Sequence, residues 1–75
     1  MSFKIQIING PNLNLLGTRD PEIYGRKSLS DIISEVEIEA KKFDCEISHF
    51  QSNIEGELVN SIQGSIGQVD GIIIN

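Results

Sequence analysis

Between Ile8 and Ser28 the chain sets the asparagines Asn9, Asn12 and Asn14, then Arg19, Tyr24, Arg26 and Lys27, with Gly10, Pro11, Gly17, Pro21 and Gly25 interspersed. A connection from a strand to a helix takes about 2–6 residues, and much longer ones tend to be binding loops or lids. Amides at such a place can donate to a developing negative charge on oxygen, and guanidinium groups can hold an anion. Glycine and proline fix some turns and leave others free to hinge. From Asn9 to Lys27 the side chains carry a net +1, leaving −6 for the rest of a chain of net charge −5. A loop locally richer in cations within an acidic protein suits a small anionic substrate.

Each residue also has a plainer reading. Tyr24, the single tyrosine, sits beside Gly25 and near Pro21, where a packing or lid residue is ordinary. Arg19 can pair with Asp20 or Glu22 on the surface, and Asn12 follows Gly10-Pro11 as a turn residue. We assign Asn9 and Asn14 to loop structure. His49 falls mid-strand on the side of Ile47 and Gln51, a structural or partly exposed position.

The elements that position these groups follow from periodicity. Phe3 to Ile8 begins as an alternation and turns wholly apolar, a strand entering a buried sheet. Ser28 with Asp31 forms a capping pair, and Leu29, Ile32, Ile33, Val36, Ala40 and Phe43 share one helical face, with Ile38 roughly opposite as an exposed hydrophobe or a subunit contact. Cys45 to Gln51 is a more polar strand. Ser52 and Glu55 repeat the capping spacing before Leu58, Val59, Ile62 and Ile66, and Gly67 terminates that second helix. Val69 to Ile74 is a third strand, apolar enough to need cover on both faces.

The order β-α-β-α-β implies right-handed crossovers and a parallel sheet. In a flavodoxin-like, doubly wound α/β fold, ligands sit beyond the carboxyl ends of the first and third strands, where the winding reverses. Asn9 to Asn12 leave the first of these, and Asn75 stands at the end of the third. An open apolar edge on the third strand calls for a fourth, so a truncated domain is expected.

Seventy-five residues bound the chain to one domain, residues 1–75, with a small core. No apolar run approaches the ~18 residues of a membrane span, no secretory signal is visible, and a cytoplasmic protein is expected. The acidic balance argues against a nucleic-acid partner. Cys45 stands alone, which excludes an internal disulfide and suits a small buried residue opening a strand. Thr18-Arg19 occupies the place where a phosphate-binding loop needs Gly-Lys-Ser/Thr, and no dinucleotide fingerprint follows the first strand. No cluster of histidines and acids has metal-ligand spacing.

Asn9-Gly10-Pro11-Asn12-Leu13-Asn14-Leu15-Leu16-Gly17-Thr18-Arg19, followed by Pro21-Glu22-Ile23-Tyr24-Gly25, closely resembles the N-terminal signature of the type II dehydroquinases, the 3-dehydroquinate dehydratases of the shikimate and quinate pathways. A weaker echo runs through Phe50 to Leu58 and on to Asp70-Gly71-Ile72-Ile73-Ile74-Asn75. Family members are longer, and the sequence stops on the asparagine that in them opens an Asn-Pro-Gly segment, so the N-terminal half of such an enzyme is expected. The alternative is a catalytically silent flavodoxin-like module that binds a small anion.

The resemblance implies a flavodoxin-like fold and anti elimination of water through an enolate, with no cofactor, metal or Schiff base. It makes Tyr24 the base, acting as a phenolate, and Arg19 the lid cation that lowers its pKa; a phenol titrates near pH 10 in water. Arg26 is a lesser source of positive charge or a solvated residue before the helix. Asn12 would hold a water against the enolate oxygen, and Asn75 would contact substrate. The histidine that protonates the departing hydroxyl belongs in the family to a later segment. Homo-oligomers, trimers gathered into dodecamers, are implied for the complete protein.

Overall fold

The structure is a computed structural model that describes residues 2–18 and 25–75. Three strands, β1 (Phe3–Asn9), β2 (Cys45–Gln51) and β3 (Gly71–Ile74), form one parallel sheet in the order β2-β1-β3. Helix α1 (Leu29–Lys41) joins β1 to β2, and α2 (Glu55–Gly64) joins β2 to β3. This is the opening of the flavodoxin-like order read from the sequence. The two crossovers run in opposite lateral directions, and right-handed connections therefore put the helices on opposite faces of the sheet. A hydrogen bond from Gln6 Nε2 to Ser61 Oγ at 3.4 Å ties α2 to the face that also carries Ser48, whose hydroxyl bonds Gln6 Oε1.

Pairing puts β1 in the centre, with Ile5 opposite Ile47, Ile7 opposite His49 and Asn9 opposite Gln51. On its other edge Gln6 lies beside Ile72 and Ile8 beside Ile74. Ile7, Ile8 and, from α1, Ile33 form the buried apolar core. Asp70 clamps the start of β1, its backbone N–H donating to Lys4 O at 2.7 Å while Lys4 N–H donates to its carboxylate at 2.8 Å. Among the described residues no helix is long and apolar enough to cross a membrane.

Helix α1 begins as its sequence requires. Ser28 Oγ accepts from Asp31 N–H and the Asp31 carboxylate accepts from Ser28 N–H, both at 3.1 Å, a complete capping box. Those bonds hold the Asp31 carboxyl below its usual value, the backbone contact from Ser28 contributing most. Leu29, Ile32, Val36 and Ala40 are half-buried around buried Ile33, and Ile38 is exposed, as its helical position predicts.

Several expectations need correction. Phe43 and Ile66 lie beyond the helix ends and are exposed, because the chain turns away at Asp44 (φ 55°) and Gly67 (φ 75°). Val59 is exposed on α2 as well. Ser52 does not cap α2. The cap position is Ile54, without a side-chain cap bond, and buried Ser52 instead accepts from Ile54 N–H at 3.0 Å and bonds the Glu57 carboxylate at 2.5 Å. The third strand starts at Gly71 rather than Val69, since Asp70 is engaged with Lys4; Ile72, Ile73 and Ile74 remain 37%, 56% and 65% exposed. Cys45 opens β2 as expected but is only half-buried.

Candidate active site

The carboxyl ends of β1 and β3 meet at Asn9 and Asn75. Gly10 N–H donates to Asn75 O and Asn75 N–H to Ile8 O, each at 2.9 Å, extending the ladder past the end of β3. The Asn75 side chain follows: its Nδ2 donates to Asn9 Oδ1 at 3.3 Å. Asn9 is 3% exposed, and its own Nδ2 lies 2.8 Å from His49 Nε2. It is therefore the last residue of a central strand rather than the loop residue read from the sequence, and both ends of its amide are satisfied.

Beyond Asn9 the chain makes a 3-10 turn at Leu13–Leu15, preceded by Asn12 in the left-handed region at φ 69°. Asparagine tolerates that conformation better than most residues. The Asn12 N–H donates to Asn53 Oδ1 at 2.9 Å, and Gln51 Nε2 donates both to that oxygen and to Gly10 O, each at 3.1 Å. Asn12 itself is exposed. No hydrogen bond joins Asn12 to Asn75 among the described residues; the two flank Gly10 from different sides of the network. Gln51, Asn53 and His49 join the site without having been expected there. The signal is the strand register, which sets Gln51 beside Asn9.

Arg19 and Tyr24 lie outside the described residues. The neck of their loop is described, and it is tight. Gly17 at φ 82° packs so that a Cβ there would approach Arg26 O to 2.8 Å and Lys27 O to 3.0 Å. Thr18 closes its side of the neck with Oγ1 donating to Leu15 O at 2.6 Å. Of the loop's cations, Lys27 is already matched by Glu35 at 2.8 Å, and that hydrogen bond and charge raise its pKa. Arg26 is exposed and has no ion-pair partner among the described residues.

A cleft of about 720 Å³ lies elsewhere, toward the amino ends of β1 and β2. Its charged lining of Lys4 and Lys41 against Glu37 and Glu46 is balanced, and neither Asn12 nor Asn75 lines it. Among the described residues no group of three or more His, Cys, Asp or Glu side chains is arranged to hold a metal ion.

The family model for class II dehydroquinase matches residues 3–75. The chain belongs to that dehydroquinase family. A 3-dehydroquinate dehydratase of Proteus mirabilis (strain HI4320) is 50% identical over 74 residues, covering 99% of this chain and 50% of the relative. One of Prochlorococcus marinus (strain MIT 9301) is 56% identical over 73 residues, covering 97% and 50%. The crystal structure of the type II dehydroquinase from Butyrivibrio crossotus DSM 2876 superposes with a TM-score of 0.89 at 39% identity, covering 99% of this chain and 52% of that one. The chain thus spans about half the length of the curated dehydroquinases it matches. In its described portion Asn9 ends β1 and Asn75 directly follows β3.

Proposed function

We propose that the protein carrying this chain is a 3-dehydroquinate dehydratase that eliminates water from 3-dehydroquinate to give 3-dehydroshikimate through an enolate. The observation that carries this reading is the family match along residues 3–75, together with amides gathered at the carboxyl ends of β1 and β3.

Tyr24, as phenolate, takes the proton from the carbon beside the ketone, and the electron pair moves onto the carbonyl oxygen. Arg19 stabilises that phenolate and closes on the anionic substrate. Asn12 holds a water against the enolate oxygen, and Asn75 contacts a substrate hydroxyl. Collapse of the enolate expels the hydroxyl at the next carbon, protonated by a general acid from outside these residues, and leaves a conjugated enone and water. The protein is cytoplasmic and assembles as a homo-oligomer, a dodecamer built of trimers.

Incubating the whole protein with 3-dehydroquinate and following the ultraviolet absorbance of the conjugated enone tests the reaction. Turnover that survives borohydride in the presence of substrate fits an enolate without an imine. Substrate-dependent inactivation by borohydride points to covalent catalysis instead. A folded protein that binds dehydroquinate and forms no enone is the silent binding module.

A further inference from the structure

The Asn75–Asn9–His49 chain has a direction. Asn75 donates Nδ2 to Asn9 Oδ1, so Asn9 presents Nδ2 to His49, whose Nε2 stands 2.8 Å away. An amide NH₂ only donates, so Nε2 must be the acceptor and the ring proton belongs on Nδ1. His49 is half-buried on β2, directly opposite Ile7 in the register. Asn9 is almost fully buried, so these two partners are what orient its amide. With Asn75 Nδ2 committed to Asn9, the Oδ1 of this exposed residue accepts no hydrogen bond among the described residues and is free to accept one from a hydroxyl.

We propose that His49 is a positioning residue for substrate recognition: by accepting from buried Asn9 it fixes the amide orientation of Asn75, so that an acceptor faces the hydroxyls of the substrate. This rests on the dehydratase reading of the site. His49 touches neither substrate nor base in this scheme. Its effect passes through two amides whose orientations are coupled end to end.

The test compares His49→Leu, which removes the acceptor, with His49→Gln, whose side-chain oxygen can replace it, in the whole protein. His49→Leu is expected to raise KM for 3-dehydroquinate about five- to tenfold, the scale of one misdirected hydrogen bond, with kcat within about twofold. His49→Gln is expected to restore most of the lost affinity. A purely structural histidine would show the opposite split, since partial unfolding removes active sites and lowers apparent kcat at constant KM. Unchanged KM in His49→Leu, or His49→Gln behaving like it, overturns the proposal. Imidazole ¹⁵N shifts supply a readout independent of turnover: the Nδ1–H tautomer is expected, and an Nε2–H tautomer overturns the relay. Absence of turnover in the unmutated protein counts against the dehydratase reading alone, and the tautomer then still decides the relay.

Discussion

Gly17 and Arg26 meet where the loop bearing Arg19 and Tyr24 leaves and rejoins the fold, the backbone carbonyl of Arg26 standing 2.8 Å from where a Cβ of residue 17 would lie. Backbone cannot swing aside as a side chain can, and the φ of 82° is strained for any residue with a Cβ. Gly17→Ala is therefore expected to lower stability by about 1–3 kcal/mol and to reduce turnover by displacing the two ends of the loop. Thermal unfolding and steady-state kinetics on the same preparation check both effects. An alanine variant with unaltered Tm and kcat would mean that the neck relaxes freely.

On the proposed mechanism, Tyr24→Phe removes only the proton-accepting oxygen. Turnover is expected to fall to near background while the affinity for a substrate analogue stays within several-fold, as calorimetric titration measures directly. Retention of most of the turnover would remove Tyr24 from the role of base.

Arg19→Ala should suppress turnover and shift the pH–rate profile. On the proposed mechanism the phenolate loses its counter-charge, so the pKa of the base rises and the ascending limb of kcat/KM moves to higher pH. Full activity on an unmoved profile would make Arg19 a surface residue.

The capping box of α1 gives a pH-dependent prediction of known sign. The Asp31 carboxyl is held below its ordinary value by Ser28, so its contribution to stability is present above the unfolded pKa and is lost as pH falls through the lower folded one. Asp31→Asn should therefore destabilise the protein at neutral pH and converge with the unmutated protein in strong acid. Tm measured across the acid range decides it; parallel curves would show that the carboxylate charge is irrelevant to the cap.

The helix and strand pattern was legible because each element is specified locally. Ser28 and Asp31 are three residues apart, and the Leu29, Ile33, Val36 stripe needs no knowledge of the rest of the chain. Periodicity carries no stop signal, however, and it runs on through Phe43 and Ile66, which are exposed where the chain turns off at Asp44 and Gly67. Ser52 misled for a related reason. Its spacing to Glu55 fits a capping box, but its hydroxyl finds Glu57 instead. At the site, Asn75 could be placed because it directly follows the third strand, and Asn12 because it stands in the turn that leaves the first. The link from Asn9 to His49, 40 residues away, exists only once β1 and β2 are in register.

The central place of β1 has a consequence in time. β1 is synthesised before both strands that pair with it, and its nearer partner ends at Gln51, 42 positions after Asn9. At ribosomal speeds of about 5–20 residues per second, β1 waits roughly 2–8 s for β2, and longer again for β3. During that interval Ile5, Ile7 and Ile8 have no sheet to enter, and the two amides that later face each other across the site have not yet met. The end of this sheet where Asn9 meets Asn75 thus forms only after β3 has been made.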